Sequence, residues 1–122
     1  MSLLYYGSME GHAAVPVPVY VRDCDGKTHT LRAGKHHGKL GFRWGYTSGV
    51  RPRNLALHIL KDYCKRTRRP GYWAEKLHEQ FMYDFLAERK PLQITSEQIE
   101  AWLQQQPYVI MHGAPGRRYL YE

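Results

Sequence analysis

The chain has 122 residues, with 18 lysine and arginine residues against 11 aspartate and glutamate residues, and a formal net charge of +7 at pH 7. This length predicts one domain over residues 1–122, and the content of 43% hydrophobic and 24% charged residues is typical of a folded globular protein. The sequence has no apolar run of membrane-spanning length, no secretory signal pattern and only two cysteines. These features predict a cytoplasmic protein with neither a membrane anchor nor a disulfide framework.

The positive charge is concentrated in the middle of the chain. Residues 26–72 carry twelve lysine and arginine residues against a single acid, Asp62, whereas residues 1–25 and 73–106 are mildly acidic. Four of the seven histidines also lie in this middle segment. Because a charge cluster is more informative than net charge, we expect any anion-binding surface to come from this part of the chain.

The N-terminal part of the sequence predicts short strands. Residues 3–6 are a short apolar run, and residues 15–21 alternate valine with proline and tyrosine, as strands do. The two prolines of that second run lack backbone donors and favour an edge strand. Asp25 and the following glycine predict a tight turn from which residues 28–32 return as the second arm of a hairpin, and the glycine-rich residues 33–39 predict a loop.

The middle of the sequence predicts two helices. Pro52 suits a first helical turn, and the apolar spacing extends the helix to about Lys65. A second helix is predicted over residues 73–89, with Pro91 ending it. The apolar side chains at helical spacing, which we expect in the core, are Leu55, Ala56, Ile59, Leu60, Tyr63, Ala74, Leu77, Phe81, Met82 and Phe85.

A third helix is predicted to begin at Thr95, because Gln98 three residues later completes a capping-box pattern, and to end before Pro107. Residues 108–111 and 119–121 are strand candidates. Together these elements predict an α+β fold, in which a small antiparallel sheet with an N-terminal hairpin packs against two or three helices.

A Trp-Gly-Tyr motif joins the two halves of this pattern. Residues 42–46 read Phe-Arg-Trp-Gly-Tyr, and after a Ser/Gly loop residues 55–60 read Leu-Ala-Leu-His-Ile-Leu. This arrangement resembles a family of small uncharacterised bacterial, plasmid and phage domains of unknown function, whose shared core is Trp-Gly-Tyr-Gly-Gly-Ser-Gly-Pro before a Leu-Ala-Leu-rich helix. Residues 47–51 depart from that core, since they read Thr-Ser-Gly-Val-Arg and are one residue longer. The resemblance implies a fold family and an accessory or mobile-element gene, but no activity.

The loop at residues 45–53 has two interpretations. Backbone N–H groups before a helix bind anions, and the two arginines of this loop would add charge. The spacing of a phosphate-binding GxxxxGK[ST] loop is absent, however, and tight turns use the same small residues for geometry alone. The structural turn is the favoured interpretation.

A basic run at residues 61–69 is the second candidate site. Five of its nine residues are basic. Together with arginines of the preceding segment, they predict a surface that contacts the phosphates along a nucleic-acid backbone. The predicted polyanion-binding residues are Arg43, Arg51, Arg53, Lys61, Lys65, Arg66, Arg68 and Arg69. The aromatic residues near them, with a role in stacking or in packing, are Trp44, Tyr46, Tyr72 and Trp73.

Catalytic and metal-binding patterns are weak. The sequence has no GxSxG, HExxH or GxGxxG motif, and its histidines and cysteines lack the spacing of metal ligands. Cys64 lies among basic residues that would lower the pKa of its thiol, but its place in an apolar helix favours burial. We therefore expect no enzyme activity, no metal and no cofactor.

The leading functional hypothesis is a small non-enzymatic binding module that contacts nucleic acid or another polyanion through residues 27–69. The alternative is a protein-interaction module, as a homo-oligomer or with another protein, because ten tyrosines and three tryptophans supply side chains typical of interfaces. The predicted strand at residues 15–21 would offer such a partner an edge.

Overall fold

The structure is a computed structural model that describes residues 2–9, 16–31 and 41–113. The predicted loop at residues 33–39 and the predicted strand at residues 119–121 lie outside these ranges. Within them the elements follow in the order β1 (Leu4–Gly7), β2 (Tyr20–Arg22), β3 (Thr28–Thr30), α1 (Arg51–Arg66), α2 (Tyr72–Phe85), β4 (Leu92–Thr95), α3 (Ser96–Leu103) and α4 (Pro107–Gly113). This is the α+β arrangement that the sequence predicts.

The four strands form one antiparallel sheet in the order β3-β2-β1-β4. In β1, Tyr5 lies between Val21 of β2 and Ile94 of β4. Strands β2 and β3 form the predicted hairpin, with Val21 opposite His29 and a turn over residues 23–27. The two edges of the described sheet are therefore β3 and β4.

The prediction that residues 15–21 form an edge strand is wrong. Strand β2 begins at Tyr20, after both prolines, so its backbone donors are intact and it pairs with a neighbour on each side. Of the residues before it, Val17 forms an isolated bridge with Phe42, with backbone N···O distances of 2.8 and 2.7 Å. This bridge holds the start of the Trp-Gly-Tyr segment against the sheet.

Helices α1 and α2 pack against each other, and their predicted apolar positions are buried, except for the half-buried Phe85. Helix α2 ends at Phe85, earlier than the predicted 89. The backbone N–H of Leu86 still donates to Met82, but the carbonyl of Leu86 accepts from Gly45, and the carbonyl of Lys90 accepts from the Trp44 indole at 2.7 Å. These tertiary hydrogen bonds replace another helical turn.

The C-terminal elements include two differences from prediction. Strand β4 was not expected, and it pairs with β1. Residues 108–111 were expected to form a strand, but they belong to helix α4, because Pro107 occupies its first position, where the missing N–H costs nothing. The capping box of α3 is confirmed: Thr95 Oγ1 accepts from the Gln98 N–H, and Gln98 Oε1 accepts from the Thr95 N–H.

Candidate functional site

One face of helix α1 gathers four of the predicted cations. Arg51, Lys61 and Lys65 follow one another at helical spacing with His58 between them, and Arg66 lies beside Lys65 at the margin of the same face. At a rise of 1.5 Å per residue, the stripe from Arg51 to Lys65 is about 21 Å long. Lys61 and Lys65 are exposed to solvent. The C-terminal half of the helix therefore presents a basic edge, with Arg51 at the far end of the helix.

A groove of about 250 Å³ lies between this face of α1 and strand β3. We call it the basic groove, and its lining residues are Val21, His29, Thr30, Leu31, His58, Lys61, Asp62, Lys65 and Arg66. Three cations and two imidazoles face a single carboxylate there. The helix supplies the charge, and the hairpin supplies the opposite wall.

Asp62, the one acid of the groove, is already engaged. Its Oδ2 accepts a hydrogen bond from the Tyr5 hydroxyl and another from Nε of Arg66, each at 2.7 Å. Within the described ranges the terminal nitrogens of Arg66 make no hydrogen bond, so the guanidinium is oriented by Asp62 and still has donors for a ligand. The carboxylate thus positions Arg66 on the groove wall.

On the hairpin wall, His29 is held by a neighbouring acid. Its Nε2 lies 3.2 Å from Oδ2 of Asp23, and about half of its side chain (52%) is exposed. Asp23 is fixed in turn by the backbone N–H groups of Asp25 and Lys27, each at 3.0 Å. The hairpin turn therefore fixes the position of an exposed imidazole ring at the groove.

Two other predicted cations lie outside the groove. Arg53 points from α1 toward α2, where its Nη2 is 3.5 Å from Glu79. Arg68 is exposed in the turn after α1 and has a φ of 59°, a left-handed conformation uncommon for a residue other than glycine. This turn directs the next residue, Arg69, back toward the interior.

Arg43 and Arg69 are buried, with 1% and 8% exposure, so their charges do not belong to the solvent-facing surface. Both terminal nitrogens of Arg69 donate to the Glu100 carboxylate, Nη2 at 2.7 Å, and the Tyr63 hydroxyl donates to the same group at 2.6 Å. The guanidinium carbon lies 5.8 Å from the Tyr63 ring centroid and 5.9 Å from that of Trp73. Arg69 therefore joins α1, α2 and α3 in the interior.

The predicted aromatic residues, like the predicted cations, differ in burial. Trp44 and Trp73 are buried, Tyr46 is half-buried, and Tyr72 is 49% exposed at the start of α2. None of the four lines the basic groove. The backbone N–H of Gly45 donates to Leu86 at 2.8 Å, which supports the structural-turn interpretation of the Trp-Gly-Tyr loop.

The environment of Cys64 and the arrangement of the potential metal ligands bear on the sites that the sequence left open. Burial raises the pKa of the Cys64 thiol to about 11, the opposite of an activated nucleophile. No group of three or more His, Cys, Asp or Glu side chains in the described ranges is arranged to hold a metal ion. Over the same residues, no helix is both long and apolar enough to cross a bilayer.

Two further grooves lack a comparable excess of positive charge among their described lining residues. One of about 130 Å³ lies under Trp44 beside β4, and one of about 430 Å³ lies between α1 and α3 beside Glu97 and Glu100. The basic groove is therefore the described cavity with the clearest preference for an anion. Asp62, His29 and Thr30 were not predicted for this site, although Asp62 is the one acid of residues 26–72.

Comparison with known proteins identifies the family to which the chain belongs. Neither curated proteins nor solved structures gave a significant match. Residues 8–105, which include the Trp-Gly-Tyr segment and all elements from β2 to α3, match a family of unknown function. The chain therefore belongs to the family of unknown function DUF6166.

Proposed function

We propose that this protein is a small binding module that contacts nucleic acid through the basic groove. The observation that carries the proposal is the groove itself, in which Lys61, Lys65 and Arg66 line one wall. Asp62, the one carboxylate of the described lining, is already engaged by Tyr5 and Arg66, and Asp23 beside the groove is paired with His29. The three cations of the described lining outnumber its one carboxylate, so an anion entering this groove meets net positive charge. Rows of lysine and arginine side chains typically contact the phosphate groups of nucleic acids.

The contacts proposed here are with phosphates, and they position the ligand without recognising its sequence. Lysine donates as a point charge and arginine as a planar fork, so both suit phosphate oxygens. Arg51 extends the same stripe toward the start of α1. Arg53 and Arg68 lie outside the groove, and the buried Arg43 and Arg69 have a structural role. We further propose a cytoplasmic location, where Cys24 and Cys64, both free thiols, stay reduced.

The proposal is tested with a fluorescently labelled oligonucleotide of mixed sequence. We expect binding at about 50 mM salt that weakens steeply as salt rises, because each phosphate contact releases counterions. Replacing Lys61, Lys65 and Arg66 together by glutamine should reduce the slope of log K against log salt by about 2 to 3.

The matched control replaces Lys76, Arg89 and Lys90 by glutamine. These exposed residues lie outside the groove, and the control removes the same charge. We expect the control to leave the slope nearly unchanged. An equal effect of both triple variants would mean that net charge, not the groove, attracts the ligand, and the absence of binding at about 50 mM salt would refute the function.

A second candidate, a protein-interaction module, is favoured by one specific observation. Ile110 and Met111 are adjacent on α4 and are 56% and 73% exposed, which is unusual for large apolar side chains. We propose self-association through this helix as the alternative. A molar mass measured at high salt distinguishes the two, since a dimer that Met111→Ser dissociates supports this candidate and a monomer at all concentrations excludes it.

A further inference from the structure

We infer that the nucleic acid bound in the basic groove is a single strand, an inference that rests on the function proposed above and narrows its ligand. Single and double strands differ in two properties that a groove can distinguish. A duplex carries two rows of phosphates and hides its base faces by stacking, whereas a single strand carries one row and exposes its bases.

The distribution of charge across the groove matches one row of phosphates. The α1 wall carries Lys61, Lys65 and Arg66, whereas the described residues of the β3 wall, His29, Thr30 and Leu31, include neither lysine nor arginine. A single backbone along α1 would meet every cation of the groove. The second strand of a duplex would face the hairpin wall, whose described lining residues include no lysine or arginine and beside which the Asp23 carboxylate lies.

The β3 wall also offers main-chain groups. Leu31 N–H donates to the carbonyl of Val19, and Asp23 N–H donates to that of Lys27, so the pairs 19/31, 21/29 and 23/27 are the hydrogen-bonded pairs of this ladder. The alternate residues, Thr28 and Thr30, therefore direct their N–H and C=O groups away from β2, at the outer edge of the described sheet. These groups suit the donors and acceptors of unpaired bases, which only a single strand exposes.

The side chains of the same wall suit base faces. Val21 lies opposite His29 and Leu31 lies two residues further along, so the three side chains share the face of the sheet that borders the groove. Val21 and Leu31 are buried apolar residues, and the His29 ring is half exposed and held by Asp23. The half-exposed His29 ring is the stacking surface of this wall, and imidazole is among the rings on which unpaired bases stack.

The experiment compares one labelled oligonucleotide of about 12 nucleotides, free and annealed to its complement, at about 50 mM salt. We expect the single strand to bind at least about tenfold more tightly than the duplex. Equal or tighter binding of the duplex would overturn this inference and leave the proposed function standing. Failure of both to bind would overturn the proposed function itself.

Variants of His29 separate stacking from charge. Because His29 lies on an exposed edge strand, its replacement should not disturb folding. His29→Gln should weaken binding of the single strand by roughly fivefold or more with an unchanged salt slope, and His29→Phe should restore it. Equal affinities of the two variants would contradict a stacking role.

Polyglutamate serves as a competitor that represents an acidic protein partner. Its displacement of the oligonucleotide at matched charge concentration would indicate such a partner instead of nucleic acid.

Discussion

The hydroxyl group of Tyr5, in the centre of the sheet, donates a hydrogen bond of 2.7 Å to Oδ2 of Asp62 on helix α1. Tyr5 is fully buried, and burial first and the nearby Asp62 second raise the pKa of its hydroxyl, which therefore stays protonated as a donor. The same carboxylate orients Arg66 on the wall of the basic groove. The core of the sheet thereby determines the position of a proposed ligand-binding side chain.

Tyr5→Phe tests this connection between core and groove. The change removes the donor and leaves Asp62 with Arg66 alone, so we expect the free energy of unfolding to fall by about 1–2 kcal/mol. Urea denaturation of the wild type and the variant measures this free energy. Tyr83→Phe is the control, because Tyr83 is 48% exposed, and it should be nearly neutral. Equal losses in the two variants would show that the Tyr5–Asp62 hydrogen bond contributes nothing.

The lowered pKa of the Glu100 carboxyl predicts that the protein loses stability in acid. Burial alone would raise the pKa of Glu100, but hydrogen bonds from Arg69 and Tyr63 outweigh this effect and Gln104 adds another, so that pKa lies at about 2, below its ordinary value of 4.5. Between these two values the unfolded chain binds a proton that the folded protein does not. The stabilisation is therefore complete above about pH 4.5 and is lost as the pH falls toward 2.

The measurement is the free energy of unfolding against pH for the wild type and Glu100→Gln. The variant should be less stable at neutral pH, because it leaves the buried Arg69 guanidinium without its counter-charge. The difference between the two proteins should shrink as the pH falls through this window. Parallel curves would contradict the assigned pKa.

The backbone conformation and close packing of Gly45 predict that a side chain at this position of the Trp-Gly-Tyr segment strongly destabilises the protein. Its φ is 98°, and a Cβ there would lie 2.6 Å from Cε of Met9 and 2.9 Å from Cγ of Arg89. Gly49 has a similar φ of 83° but no described atom within 4 Å of such a Cβ. We expect Gly49→Ala to cost about 1 kcal/mol of stability for its backbone conformation, and Gly45→Ala to cost at least about 2 kcal/mol. Thermal or urea unfolding of both variants checks this, and equal costs would exclude a close-contact role for Gly45.

Local patterns predicted the elements that local interactions determine. The capping box at Thr95 and the apolar spacing of α1 depend on neighbours within four residues, so both were visible in the sequence. Strand β4 was missed because four residues between Pro91 and the helix start give too short an alternation, and its conformation depends on pairing with β1. Helix α4 was missed because its apolar run looks like a strand.

The candidate site was predicted as one basic surface, but the cations assigned to it do not all lie there. The basic run overlaps the end of α1, but sequence alone does not separate the exposed Lys65 from the buried Arg69, since both belong to the same run of cations. That separation depends on the left-handed turn at Arg68 and on Glu100, thirty-one residues away. The hairpin wall of the groove was not predicted because it requires the packing of β3 beside α1.

The most direct test of the basic groove is the reactivity of individual lysines toward acetylation, measured by mass spectrometry with and without a saturating oligonucleotide at about 50 mM salt. Lys61 and Lys65 line the groove, whereas the exposed Lys76 and Lys90 do not. We predict that the oligonucleotide protects Lys61 and Lys65 several-fold and leaves Lys76 and Lys90 unchanged. Protection spread evenly over all four lysines, or absent at Lys61 and Lys65, would contradict nucleic-acid binding in this groove.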